Sequence, residues 1–527
     1  MTGGIVRNNA TGLQSNAGSL GATRVLVVSN GNGLWAQGGG LTVDHATIYG
    51  NSYGVYSTGT SGSVSVTSSV VTNNTSYGFY RSSGAVAITT SYNDVWQNST
   101  DSYNTSAGTG TISANPLYVT PGTNFRLTSN SPARFSDGSN LDMGAFAYTS
   151  DATPSLTGTL WSSTTLSGAN AVTGDLTVAP GVTLTLSQGA TLTAASSDLM
   201  QSGDNVNRVE LIVRGTLTGT GTAAVPITLT ATNTSQGSWV GVRVEAGGTA
   251  NLAGVVVERA TYGFDVSGSL QLSLGTVRNN SNGIRTNAGS ATVGTTLFTN
   301  NGNGLWAQGG TVSIDHATSY GNSYGFYSTG TSGSVTVTGS IVTGNSSYGF
   351  YRSSGAVAIT TSYNDVWQNS SDYYNTSAGT GTISSNPLFV SAGSNFRLTS
   401  NSPARKSDAA MGDLGAFPYV SDVTSQLTGT LWTNTTLSTN TITGDLIIPA
   451  GVTVTLPAGA TLTAAASDLM QAGDNVNRIE IIVRGTLTIT GTPSMPSTLT
   501  ATNTAQGSWV GVRVENGGTV TASSLVV

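Results

Sequence analysis

The stretch NGNGLWAQGGGLTVDHATIYGNSYGVY, residues 30–56, decides the fold. It opens on an Asn-Gly turn followed by an apolar residue, Gly33-Leu34, and runs through an alternating segment, Leu41-Thr42-Val43-Asp44. It closes on a second turn of the same kind, Tyr53-Gly54-Val55. Alternation at period two marks a half-buried strand, and no part of the chain carries a helical period. The marker glycine recurs at Gly12, Gly33, Gly54 and Gly78, then at Gly263, Gly283, Gly304, Gly325 and Gly349, with spacings of 20 to 24 residues. Twenty-odd residues holding two or three short strands form one coil of a β-solenoid, stacked on the next at about 4.8 Å. Asn tolerates the left-handed backbone of a tight corner, and its amide can bond the Asn one coil away. Asn8, Asn30, Asn51 and Asn74 are therefore expected to stack as a ladder.

A second, longer period contains the first. YRSSGAVAITTSYNDVWQNS at 80–99 recurs letter for letter at 351–370, an offset of 271, and the copies stay in step from VRNN (6–9 and 277–280) to LTGTLW (156–161 and 427–432). A one-residue deletion before Asp445 makes the offset 270, which brings IVRGTLT at 212–218 onto 482–488. Residue 1 then falls opposite 272 and Val527 opposite Val257, so the expectation is an array that continues in both directions.

Composition narrows the function. Only 8% of the 527 residues are charged, against roughly a quarter in ordinary soluble domains, while 37% are hydrophobic, enough apolar surface for an ordered β-rich protein. Cysteine is absent, which removes disulfides, thiolate metal sites and thiol catalysis together. With a net charge of −6, one lysine (Lys406) and singly scattered arginines, neither nucleic acid nor an anionic membrane is an expected partner. No apolar run approaches the roughly 20 residues needed to span a bilayer, so no membrane insertion is expected, and MTGGIVRNN lacks the features of a signal peptide.

Three groups of segments resemble the right-handed parallel β-helix repeat family, the pectate-lyase-like solenoids of large bacterial surface and secreted proteins. GVTLTLSQGATLT, VELIVRGTLTGTGTAAVPITLTA and QGSWVGVRVEAGG, between 181 and 248, resemble its opening coils, while SYNDVWQN (91–98) and ISANPLYV (112–119) resemble its closing ones. NFRLTSNSPAR (124–134) with DMGAFAY (142–148), repeated as DLGAFPY (413–419), resembles its terminal strand motif, although SPARFSD and SPARKSD replace the family's usual ending. The resemblance implies an all-β fold of tandem right-handed parallel β-helix domains. The C-terminal part of one repeat spans 1–150, a complete repeat 151–421 and the N-terminal part of the next 422–527, with SDATPS and SDVTSQ as joints. It also makes Asp94 and Asp365, in SYNDVW, turn residues. Lyases, hydrolases, epimerases and inert stalks all use this fold, so the chemistry must be read from the residues.

Glycan cleavage needs carboxylates clustered on adjacent coils, or several acids that hold Ca²⁺ beside a basic residue. The sequence suggests no such cluster. The only histidines follow aspartates, Asp44-His45 and Asp315-His316, beside Thr67-Ser68 of the next coil, and read as corner hydrogen bonds. Arg243, Asp265 and Arg285 share one position after the marker glycines and read as an outward salt-bridge ladder. Catalytic residues, metal and cofactor are accordingly not expected.

The candidate ligand-binding surface is aromatic. If Leu34, Val55 and Phe79 point inward, then Trp35, Tyr56 and Tyr80 point outward at one position of consecutive coils, and Trp306, Tyr327 and Tyr351 repeat them. Such a ladder serves either to hold glycan rings or to shield its own faces. The expected function is a non-enzymatic structural element of an extracellular or cell-surface fibre, stalk or surface layer, whose partners are adjacent repeats or copies of itself end to end. A polysaccharide-binding adhesin is the first alternative and a polysaccharide lyase or hydrolase the second.

Overall fold

The computed structural model describes residues 1–150, 156–421 and 427–527, so most of the two expected joints, SDATPS and SDVTSQ, lies outside the described residues. The described residues contain no helix; short strands stack in parallel, coil upon coil, as a parallel β-helix. They form two compact units, one made of Met1–Gly219 with Thr228–Thr249, the other of Thr220–Ile227 with Ala250–Val527.

In the first unit the coils from 5 to 91 each contribute one strand to each of three parallel sheets, and the coil from 94 to 103 adds a strand to two of them. Strands such as Gly40–Asp44 and Ser63–Thr67 alternate as expected, Leu41 and Val43 pairing in register with Val64 and Val66 on the buried face. Strands such as Asn32–Ala36, Tyr53–Ser57 and Tyr77–Arg81 carry the marker glycines. Those glycines do not have positive φ; they are required by space. A Cβ on Gly33 would lie 2.6 Å from the carbonyl oxygen of Gly54, and one on Gly54 would lie 2.6 Å from that of Gly78. Because the glycine and the residue after it are both buried, strict alternation breaks at this point.

The third sheet is made of three-residue strands, Leu26–Val28, Thr47–Tyr49, Val70–Thr72 and Asp94–Trp96. Val27, Ile48 and Val71 face the core, yet Leu26, Thr47 and Val70 are buried as well. Their cover is a segment that folds back on the coils. An antiparallel hairpin, Tyr118–Thr120 with Asn124–Leu127, packs Tyr118, Phe125 and Leu127 on Leu26 and Val70, and Met143 joins them fully buried, a contribution of about 1.5–3 kcal/mol. Gly144 N donates to Ser68 O (2.8 Å) and Ala145 N to Thr47 Oγ1 (3.0 Å). The second unit repeats this with Gly415 N to Gly339 O (2.7 Å) and Ala416 N to Thr318 Oγ1 (2.9 Å). The terminal-strand expectation thus holds for NFRL, a strand in both copies, and is corrected for DMGAFAY and DLGAFPY, which lie in no strand; their buried Met143 and Leu414 anchor a return segment.

The Asn ladder exists, one residue away from its expected start. Asn9 donates to Asn30 Oδ1, Asn30 to Asn51 Oδ1, Asn51 to Asn74 Oδ1 and Asn74 to Asn98 Oδ1, each through its backbone and its side-chain amide. Asn8 instead occupies the left-handed corner before it, φ 61°, and Ser29, Gly50 and Asn73 hold that corner in the following coils. Asn280, Asn301, Asn322, Asn345 and Asn369 form the ladder of the second unit. Asp94 and Asp365, expected in turns, open the strands Asp94–Trp96 and Asp365–Trp367 and are fully buried; burial raises both carboxyls well above the ordinary range.

Candidate functional site

Outward from the glycine-bearing strands stands a wall of six rings. Parallel register places Trp35, Tyr56, Tyr80 and Tyr103 in one column, one coil apart. Trp35 stacks on Tyr56 (centroids 5.6 Å, 11°), Tyr56 meets Tyr80 edge to face (5.3 Å, 71°), and Tyr80 stacks on Tyr103 (5.0 Å, 7°). Tyr53 and Tyr77, stacked at 5.5 Å, make a second column against the first. The second unit rebuilds the wall from Trp306, Tyr327, Tyr351 and Tyr374 with Tyr324 and Tyr348. The indoles are fixed in rotation by hydrogen bonds from Trp35 Nε1 to Thr58 Oγ1 (3.0 Å) and from Trp306 Nε1 to Thr329 Oγ1 (2.9 Å). Partial burial and then the neighbouring phenols raise the pKa of Tyr80 and Tyr351.

All six expected residues thus share their outward columns, while Tyr53, Tyr77, Tyr103 and their counterparts Tyr324, Tyr348 and Tyr374 were missed. Tyr53 lies three residues before Tyr56, which in a regular strand would put the two on opposite faces. The two consecutive buried positions at Gly54 and Val55 bring them to the same side, and the recurring Tyr-Gly-Val/Phe-Tyr string was the signal available. The rings spend most of their faces on one another. The outermost tyrosines, Tyr103 and Tyr374, are 44% and 42% exposed.

In the second unit the column continues past Trp306 to Arg285 and Asp265, in register and bonded at 2.6 and 2.8 Å, with the guanidinium 3.7 Å from the Tyr262 ring. Arg243, expected in that salt-bridge ladder, makes its ion pairs with Asp204 (2.8 Å), Glu245 (3.0 Å) and Glu210 (3.3 Å).

One of those partners, Glu210, belongs to a carboxylate cluster that the sequence did not suggest. Asp175, Asp198 and Glu210 are all buried. Asp175 accepts from Glu210 N (2.8 Å) and Ser202 Oγ (3.0 Å), Asp198 from Asp175 N and Met200 N, and Glu210 from Asp204 N (2.7 Å) and Asn205 N (3.0 Å). Burial, with Asp198 and Glu210 close by, pushes the Asp175 carboxyl up to about 8; burial raises Glu210 as well. The second unit repeats the cluster as Asp445, Asp468 and Glu480, with Asp445 at about 7. There Ala472 replaces the serine donor, and Asp445 Oδ2 is buried without a hydrogen-bond partner. A cavity of about 390 Å³ adjoins the first cluster, lined by Asp175, Asp204, Arg214, Arg243, Glu245 and Trp161 among others. The carboxylates are nevertheless committed to backbone amides of the 198–210 loop, and no group of acids and histidines suited to a metal ion occurs among the described residues.

The Asp-His pairs do more than close a corner. His45, at φ 48°, bonds Asp44 Oδ2 through Nδ1 (3.0 Å) and Asp137 Oδ2 through Nε2 (3.1 Å), clasping the return segment to the coils; His316 does the same with Asp315 (3.0 Å) and Asp408 (3.2 Å).

Each repeat also hands over to the next through one set of bonds. Thr159 N donates to Asn130 O (2.7 Å), Trp161 Nε1 to Ser131 O (2.9 Å) and Asn115 Nδ2 to Leu199 O (3.1 Å). Thr430, Trp432 and Asn386 make the equivalent bonds to Asn401 (2.8 Å), Ser402 (2.9 Å) and Leu469 (2.9 Å). Comparison with protein-family models, with curated proteins and with solved structures finds no match to this chain.

Proposed function

We propose that this chain is a non-enzymatic structural element of an extracellular or cell-surface fibre, stalk or surface layer, in which β-helix repeats follow one another as a stiff array. The observation that carries this reading is the handover between repeats, built twice from the same three hydrogen bonds, with Ser131 and Ser402 fully buried in it. A flexible linker between independent domains would leave those groups in water. The carboxylate cluster supports the same reading, because its acids brace a loop. Electron microscopy of arrays of several repeats tests it: straight filaments with an axial period of about 55 to 60 Å, roughly twelve coils of 4.8 Å, are expected, and beads on a bending string would overturn it.

A second reading, a polysaccharide-binding adhesin, rests on the outward rings. Mutual stacking hides most of the ring faces that a sugar would need, which weighs against it. Replacing Trp306, Tyr327 and Tyr351 by Ala should leave glycan retention unchanged; loss of retention would establish the adhesin. Turnover of acidic glycans that disappears in Asp175→Asn or Glu210→Gln would establish a hydrolase or lyase instead.

A further inference from the structure

Ser102 and Tyr373 hold the same place in the two copies, directly in register with Phe79 and Phe350. In the second unit the Tyr373 ring stacks on Phe350 (centroids 5.6 Å, 6°) and completes an internal column with Phe326, whose ring Phe298 meets edge to face from a neighbouring strand. In the first unit the serine leaves a cavity of about 170 Å³, floored by the buried Phe79 and Val95, with the exposed Ser106 and Ala107 at its mouth. Thr111 lines it as well, and its hydroxyl is buried without a hydrogen-bond partner.

We propose that this cavity is a binding site for a single-ring aromatic molecule of the phenol class. The protein's own second copy supplies the template, a phenol ring stacked on the equivalent phenylalanine. The size fits, since an apolar protein cavity of about 150 Å³ is enough to take up benzene. Thr111 adds one unspent hydroxyl. In the second unit the Tyr373 and Thr382 hydroxyls are both buried without a hydrogen-bond partner, the Tyr373 ring being tied to the backbone. A free phenol beside Thr111 is under no such tether. Contact with the Phe79 ring and one hydrogen bond to Thr111 Oγ1 then define recognition.

Calorimetric titration of the whole chain with p-cresol, the tyrosine side chain as a free molecule, is the test. The wild type should take up one equivalent saturably. Ser102→Tyr should abolish uptake and raise the melting temperature, because it installs the ring the second copy already has. Tyr373→Ser should open a second site and double the stoichiometry. Should Ser102→Tyr not fold, Ser102→Leu plugs the same space with a smaller group and carries the same expectation of lost binding. Absence of saturable uptake by the wild type, uptake that survives a folded Ser102 variant, or a stoichiometry unmoved by Tyr373→Ser would each overturn the proposal.

Discussion

The coils of residues 6–149 and those of residues 277–420 share an outer lattice and differ inside it. The Asn ladder, the glycine column, the ring wall, the His clasp and the covered sheet recur position by position. The interior does not: Val27, Ile48, Val55 and Ser102 of the first copy correspond to Phe298, Ser319, Phe326 and Tyr373 of the second. Three enlargements, two from Val to Phe and one from Ser to Tyr, accompany one reduction from Ile to Ser, so the second core fills with rings, Phe298 and Phe326 meeting at 6.1 Å between centroids, where the first uses an isoleucine. Ser319 Oγ is then satisfied by the Asn ladder, accepting from Asn322 Nδ2 (3.1 Å) and donating to Asn345 Oδ1 (3.3 Å). Coil-to-coil hydrogen bonding sets positions that recur unchanged, whereas the apolar filling is exchanged, with a net gain of ring volume in the second copy.

The lattice side of this comparison breaks first. Asn51→Ala and Asn322→Ala each strand the amides that the side chain served, at a cost of about 3 kcal/mol, and the two costs should match. Native-state hydrogen exchange reads this locally: protection should fall around the substituted coil and stay unchanged in the other copy. Exchanging interiors comes next. Phe326→Val should cost about 2–3 kcal/mol through the void it leaves, and Val55→Phe somewhat less by crowding Ile48; adding Ile48→Ser should recover part of the second penalty, which a double-mutant cycle measures. Tyr56→Ala and Tyr327→Ala should each lose about 1–2 kcal/mol from the broken ring pairs, equally in both walls.

A further prediction concerns the opening coils. A carboxyl raised above its ordinary 3.8 favours the folded state most when protonated, so its contribution is complete below pH 3.8 and is lost as pH rises through about 8 for Asp175 and about 7 for Asp445. The melting temperature should therefore decline across that window, and Asp175→Asn with Asp445→Asn should flatten the decline. A slope unchanged in the double variant would assign the effect to other groups, the buried Asp94 and Asp365 being the next to replace.

Much of this arrangement could be read from residues alone because a β-helix repeats its spatial neighbours at a fixed sequence distance. Marker glycines 21 residues apart, such as Gly33 and Gly54, are neighbours in space, so one periodicity yields strands, register and the columns of Trp35, Tyr56 and Tyr80 together. The one-residue error at Asn8 arose because two adjacent asparagines differ only in backbone conformation: Asn8 turns the corner and Asn9 stacks. Tyr53 and Tyr77 escaped notice because ideal strand alternation sends them to the opposite face, and the close approach of glycine backbones overrides that rule.

By itself, then, the sequence determined the coil, its parallel in-register stacking and the main aromatic columns, all of which depend on contacts at the repeat spacing. Only the tertiary structure decided what crosses that spacing. The return segment reaches back 98 residues from Ala145 to Thr47 and 92 from Asp137 to His45, and Asp175 meets Glu210 across 35. No local pattern encodes those distances. They follow from the need to cover the apolar outer face of Leu26 and Val70 and to satisfy amides in a loop between strands, conditions that exist once the coils have stacked.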